Sequence, residues 1–261
     1  MSRGRISGWL SDYEFFIQTI PILQARREPF LAYLLTHSTH HPYEVPKKYH
    51  ELNFGDMEGT MIGNYLHSVH YFDKVFGELV DRLRETGLLD RSIVVVYSDH
   101  KCKHIELGYI KQLLGYPESS EYHKWMLEQK LPLIIHLPHG EEAGMRKVTG
   151  GHLDIAPTVL ALLGVIDEKN VMLGSDLTKN ENSLVVFRNG SFTDGKYIFI
   201  NHFVPVYLST CYDASTGLMT DCKQLEEKRL KALERLEISD LIIHSDLIRA
   251  LRSAENNTST H

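Results

Sequence analysis

"MIGNYLHSVHYFDKVFGELVDRLRETGLLDRSIVVVYSDH", residues 61–100, decides the fold class. Its first part carries Ile62, Leu66, Val69, Phe72, Phe76, Leu79 and Leu83 at intervals of three or four, the repeat of one helix face, and Gly87 stands where a C-terminal cap belongs. Its last part, "SIVVVYS", is a continuous β-branched run of the kind that forms a strand buried on both faces. That strand ends, without a spacer, on Asp99 and His100.

On either side lie two similar apolar runs, "FLAYLLT" at 30–36 and "LPLIIHL" at 131–137, and both read as buried strands. The order strand, helix, strand predicts a helix packed along parallel neighbours as a right-handed crossover, the repeating unit of an α/β sheet. Downstream, "LDIAPTVLALLG" at 153–164 predicts a helix with Asp154 as N-cap, Pro157 in the first turn, Leu160 and Leu163 on one face and Gly164 as the stop. The character then changes. "LVVFRNGSF", "GKYIFIN" and "VPVYLS" are short strands set apart by Asn-Gly, Asp-Gly and Pro, the pattern of an antiparallel meander. Helices are expected at 223–238 and 240–252, with Ser239 capping the second, before a polar tail.

With 43% apolar and 24% charged residues, the 261-residue chain is that of an ordinary globular protein. Its formal charge of −6 argues against nucleic acid as a partner, and "KRLKALERLE" is mixed in sign, a solvated helix face rather than a basic stripe. No apolar run approaches the roughly 18 residues of a membrane span, and the N-terminus has charge without a following hydrophobic core, so these residues carry neither a span nor a secretory signal. Cys211 and Cys222 bracket "CYDASTGLMTDC", whose spacing suits equally a small disulfide loop and a pair of reduced thiols.

In an open α/β sheet the carboxyl ends of strands line the ligand crevice, and Asp99 and His100 lie at such an end. One hard oxygen beside one borderline nitrogen suits Mn²⁺ or Zn²⁺ better than Ca²⁺. Taken alone, the pair is equally an Asp capping the next helix and a His in a half-exposed loop. A second cluster adds weight. His37, His40 and His41 follow the run at 30–36 in "LLTHSTHHPYEVP", where imidazoles can bind an anionic group or protonate a leaving group near neutral pH.

These stretches, together with "WLSDYEFF", "GGHLDIAPTVLALLG", "LGSDL" and "VVFRNGSF", resemble in order and spacing the carboxy-terminal part of the extracellular catalytic domain of the lipoteichoic acid synthase family, within the sulfatase and alkaline phosphatase superfamily. The resemblance implies an α/β, alkaline-phosphatase-like mixed sheet flanked by helices over 1–180. The small antiparallel meander and terminal helices over 181–261 would pack on the same domain. It implies a metal-dependent phosphoglycerol transferase that moves glycerol phosphate from phosphatidylglycerol to a growing polymer at the extracellular face of the cell membrane. A sulfatase-like ester hydrolase, or an inactive piece that keeps only the fold, is the alternative. The family's Asp-His metal pair falls on Asp99 and His100, its substrate-binding histidine on His40, and its "FRNG" on Arg188 to Gly190. The implied ion is Mn²⁺, with Mg²⁺ or Zn²⁺ as substitutes, and the implied partners are an anionic phospholipid head group and a glycerol phosphate polymer.

The departures are specific. The family has Gly before its Asp-His pair and Tyr-Gly after it, where this chain has Ser98, Lys101 and Cys102. Lys101 and Lys103 can draw an anion toward the site, Cys102 can offer a thiolate to a softer metal, and His104 and His152 are candidates for its surroundings. The family's nucleophilic threonine, its glutamate metal ligand, its first strands and its membrane helices are expected upstream of Met1, so no catalytic nucleophile is assigned here. Missing strands would leave an exposed sheet edge prone to self-association.

Overall fold

A computed structural model of the chain describes residues 4–6, 8–101, 107–117, 120–165, 172–179, 181–202 and 209–251. It divides into two compact units, Met1–Gly144 and Met145–His261, so the change of character expected near residue 180 falls inside the second.

In the first unit a short antiparallel ladder, β1 (Arg5–Ile6) with β2 (Trp9–Leu10), leads into helix α1 (Asp12–Gln24), whose N-cap Ser11 accepts from the Glu14 N–H at 3.3 Å. Helix α2 (Met61–Glu85) starts at Thr60, which accepts from the Gly63 N–H, and ends where Gly87 takes φ +69°, the left-handed conformation that closes helices. Its buried stripe is Gly63, His67, Tyr71, Val75, Leu79 and Leu83, with Ile62 and Ser68 beside it. Val69, expected on that face, is exposed, and Phe72 and Phe76 flank it half-buried. Tyr71, Val75, Leu79 and Leu83 of the stripe join Ile6, Phe16, Ile20, Val45, Leu88 and Leu89 in one core. Gly63 is obligatory by contact: a Cβ there would stand 2.0 Å from the Met57 carbonyl, so only a bare backbone lets α2 lie against the 3-10 turn Gly55–Met57.

Strand β3 (Val94–Tyr97) and strand β4 (Leu133–His136) both form where the apolar runs predict them, but they pair antiparallel, Val94 opposite His136 and Tyr97 opposite Leu133. Helices α3 (Leu107–Leu113) and α4 (Glu121–Gln129) lie between them in the chain. The run at 30–36 is a correction. It is neither strand nor buried: Leu31 is 93% exposed, and Phe30, Tyr33 and Leu35 are exposed with it. An extended segment becomes a strand only by pairing its backbone, and among the described residues no strand pairs with this one, so the expected parallel crossover does not form.

In the second unit helix α5 (His152–Leu162) is capped by Gly151, not by Asp154. Asp154 is the third helical residue and reaches back to the Gly151 N–H at 2.7 Å, so the capping signal is real but displaced by three positions. Gly164 stops the helix as expected, at φ +68°. The meander is a four-stranded antiparallel sheet of β5 (Val185–Val186), β6 (Phe192–Thr193), β7 (Tyr197–Ile200) and β8 (Thr210–Asp213), in that spatial order. Most of the strand expected at 204–209 lies outside the described residues. A disulfide joins Cys211 to Cys222 and shares a core with Phe192, Phe199, Leu225 and Ala232.

The two C-terminal helices are also corrected. Helix α6 (Glu226–His244) runs through Ser239 without a break, since neither Gly nor Pro interrupts it there. It stops at Ser245, whose hydroxyl turns back to the Leu241 carbonyl, and at Asp246, which takes φ +48°. A short helical segment at 247–251 follows.

Candidate active site at the end of strand β3

Directly past β3, the Ser98 hydroxyl donates to the His100 carbonyl at 2.8 Å and holds the turn that carries Asp99 and His100. Both side chains are more than half exposed, and Asp99 Oδ1 lies 3.7 Å from His100 Nε2. That separation is too long for a hydrogen bond. His100 Nδ1 instead donates to the Lys101 carbonyl at 2.8 Å, which leaves Nε2 as the nitrogen beside the carboxylate.

The histidine loop is held by Asp12, the first residue of α1. Its buried carboxylate accepts from the His37 N–H at 2.9 Å and from the Ser38 N–H at 3.2 Å, while Ser38 Oγ accepts from the Asp12 N–H. Burial pushes the Asp12 carboxyl above its ordinary value, against the pull of those N–H groups. At the far end of the loop, buried Tyr43 rests edge-on against Tyr65 of α2, 5.3 Å between centroids.

Pinned in this way, the loop brings its imidazoles to the end of β3. His40 stands edge-on to His100 with centroids 6.4 Å apart, His37 stacks on His40 at 5.0 Å, and Trp9 tilts against His37 at 4.7 Å. His40 Nδ1 donates to the His41 carbonyl at 2.7 Å, which leaves Nε2 as the nitrogen that faces outward. His37 is pushed toward the neutral form, first by desolvation and then by repulsion from His40, with Asp12 opposing. His41 turns instead toward Tyr43.

Lys101 pairs with Glu128 of α4 at 3.3 Å, so its charge is already matched. Cys102, Lys103 and His104 lie outside the described residues. His152 opens α5 in the second unit. Arg188 pairs with Asp240 of α6 at 2.7 Å, and Gly190, at φ +82°, closes the hairpin between β5 and β6, so "FRNG" works as a turn. Asp12 and Trp9 were not singled out by the sequence, although "WLSDYEFF" contains both.

Among the described residues, the grouping of three His, Cys, Asp or Glu donors compact enough for one ion lies elsewhere, at His50, Glu58 and His67. Asp99 and His100 supply two donors, part of a shell.

The sequence model of the sulfatase family matches residues 7–165, more than half of the chain. This chain belongs to the sulfatase family. Within the family its similarity runs to lipoteichoic acid synthases. It is 31% identical over 244 residues to lipoteichoic acid synthase 1 of Bacillus subtilis, covering 92% of this chain and 36% of that protein. To the lipoteichoic acid synthase of Staphylococcus saprophyticus it is 27% identical over 244 residues, again covering 92% of this chain and 36% of the relative. The crystal structure of a lipoteichoic acid synthase from Listeria monocytogenes superposes with a TM-score of 0.81 at 28% identity, over 94% of this chain and 62% of that one. A protein of the alkaline phosphatase superfamily from Vibrio parahaemolyticus shares the fold, at a TM-score of 0.63 and 21% identity over 91% of this chain and 56% of that one. The sulfatase-family chain thus spans a little over a third of the length of the curated relatives it matches. Among its described residues no helix is long and apolar enough to cross a membrane.

Proposed function

We propose that this chain carries part of the metal-dependent active site of a phosphoglycerol transferase of the lipoteichoic acid synthase type. The observation that supports the reading is the meeting of Asp99, His100 and His40 at the end of β3, in a chain similar to lipoteichoic acid synthases over nine tenths of its length. The donor chemistry fits a metal. A carboxylate oxygen and an imidazole nitrogen 3.7 Å apart on an exposed turn need little movement to share one ion, because two donors on a transition metal at about 2.1 Å each lie about 3 Å apart. Asp99 and His100 would hold Mn²⁺, with Mg²⁺ or Zn²⁺ as substitutes, and the remaining ligands would come from outside this part of the family's domain.

Bound there, the ion would supply charge that polarises phosphoryl oxygens. The chain's own residues do the rest. Asp99 and His100 fix the position of that charge at the end of a paired strand. His40, its Nδ1 proton held by the His41 carbonyl, presents Nε2 toward an anionic head group, which it binds as an acceptor from a head-group hydroxyl or, once protonated, as a donor to phosphate. His37, stacked behind His40, keeps that ring from swinging away. The substrates on this reading are phosphatidylglycerol and a glycerol phosphate polymer, and the place of work is the outer face of the cell membrane.

Titration calorimetry with Mn²⁺ tests the metal assignment: Asp99→Ala and His100→Ala should each weaken uptake, and binding equal to wild type in both variants would refute it. Product analysis separates transferase from hydrolase. Assayed together with the upstream part of the family's domain, which would supply the nucleophile and the remaining ligands, release of diacylglycerol from phosphatidylglycerol, lost on His40→Ala, is the expected outcome; hydrolysis of a sulfate ester without diacylglycerol would favour the alternative.

A further inference from the structure

The hairpin that follows β8 holds two apolar side chains in solvent. Leu218 and Met219 are adjacent in the chain and 69% and 70% exposed. The backbone beneath them is fixed. Tyr212 pairs antiparallel with Met219, the Cys211–Cys222 disulfide ties both ends to the core of the second unit, and Gly217 turns the chain at φ +69°. The hairpin also satisfies its own donors. Asp213 Oδ1 accepts from the N–H and the hydroxyl of Ser215, at 2.9 and 2.6 Å, and from the N–H and the hydroxyl of Thr216, at 3.0 and 3.1 Å. The Asp213 N–H donates to the Leu218 carbonyl at 3.0 Å, the Ala214 N–H to the Lys196 carbonyl at 2.8 Å, and the Gly217 N–H to the Asp213 carbonyl at 2.9 Å. The Leu218 N–H donates to Thr216 Oγ1 at 3.3 Å. Every N–H from Asp213 to Leu218 thus has a partner inside the protein.

We propose that the tip of this hairpin is a membrane-contact site, and that Leu218 and Met219 enter the interfacial layer of a lipid bilayer. Passage from water into lipid penalises each unpaired backbone donor, and the turn from Asp213 to Leu218 brings none. A turn that stays in water has no need of that pairing, because solvent supplies the partners. The fixed backbone also spares the contact the cost of ordering a loop. A protein partner suits the tip less well. Two side chains on one turn fall far short of the roughly 1,000 Å² of a specific protein interface, whereas a fluid lipid surface accepts them without a complementary shape. Charges along the hairpin and beside it balance, Lys196 and Lys223 against Asp213 and Asp221, so the apolar pair rather than attraction to anionic lipid carries the contact. The choice of a bilayer rests on the reading above, that the chain works on phosphatidylglycerol.

The test is flotation of the whole chain with vesicles of phosphatidylglycerol and phosphatidylcholine. Leu218→Ser combined with Met219→Ser should weaken vesicle binding at least about tenfold, since both side chains forfeit their transfer to lipid. Leu31→Ser, at another exposed apolar position, should not. Binding should persist at about 0.5 M salt, where charge attraction is screened. Met219→Trp places an emission at the tip that should shift to the blue on vesicles and be quenched by lipids brominated in their acyl chains. Circular dichroism melts matching wild type confirm that the variants fold. Soluble glycerol phosphate should not release the protein; release would place the binding at the His40 site and overturn the proposal. It is overturned too if the double variant floats like wild type or binds no more weakly than Leu31→Ser, or if the added tryptophan does not respond to vesicles. A wild-type chain that fails to float would leave the pair to a protein partner and refute the lipid assignment. None of these readouts needs phosphoglycerol transfer, so the two readings fail separately.

Discussion

Asp12→Ala should loosen the histidine loop and destabilise the first unit together. Truncation removes the acceptor of two backbone N–H groups, at His37 and Ser38. Ser38 is 2% exposed and cannot turn to water, so its stranded donor costs about 1–3 kcal/mol, and half-buried His37 adds about 1 kcal/mol. The sum is about 2–4 kcal/mol, with the lower end favoured because the carboxylate is itself desolvated. At a urea m-value of about 2 kcal/mol/M the midpoint falls by about 1–2 M. Both tryptophans, Trp9 and Trp125, lie in the first unit, so fluorescence reports its unfolding, and hydrogen exchange at residues 37 and 38 reports the loop. Asp12→Asn keeps one acceptor oxygen and should lose about half as much. The sign of the pH dependence follows from the raised carboxyl. The folded state keeps a proton that the unfolded chain releases above 3.8, so between 3.8 and the folded value wild-type stability falls as pH rises, and it is level beyond. The Asp12→Asn variant, with no carboxyl at this position, lacks that slope. A midpoint within 0.3 M, roughly a tenth of typical urea midpoints, of wild type for Asp12→Ala, or parallel pH curves for wild type and Asp12→Asn, would refute the role given to this carboxylate.

Three further outcomes test the packing. Gly63→Ala should destabilise the first unit by about 1–3 kcal/mol despite better helix propensity, because its Cβ would meet the Met57 carbonyl at 2.0 Å; a gain in thermal stability would contradict that close approach. Reducing the Cys211–Cys222 bridge reopens a short loop and should remove about 3 kcal/mol from the second unit, read as a lower midpoint with reductant in a tyrosine near-ultraviolet melt. Leu31→Asp, at a 93% exposed position, should leave the unfolding midpoint within about 0.5 kcal/mol of wild type; a larger loss would mean that residues 30–36 are buried after all.

Much of this was legible because it is local. The long helix, its Gly87 stop, the strands at 94–97 and 133–136 and the meander all follow from periodicity and turn chemistry, which a neighbourhood of about ten residues fixes. Pairing is not local. Residues 30–36 have the composition of a buried strand, yet a strand is a relation between two segments, and composition states only half of it. The helix at 226–244 failed in the other direction: Ser239 offered a capping side chain, but a cap forms where the backbone leaves the helix, and nothing there obliged it to.

The site divides along the same line. Asp99 and His100 were legible as residue types at the end of a strand and His40 as one of a cluster of histidines, and their approach depends on Asp12, which acts from α1 on a loop 25 residues away. His67 was hidden for a different reason. A reading that assigns apolar residues to the core face of α2 places Leu66 and Val69 there and sends histidine to water. The four-residue repeat Gly63, His67, Tyr71, Val75, Leu79, Leu83 was present in the same letters. It could be found only by allowing a polar residue into the stripe and asking what would compensate its burial. Glu58 meets one nitrogen of that ring and His50 covers one of its faces, and these two contacts are what make a buried histidine tolerable in the stripe.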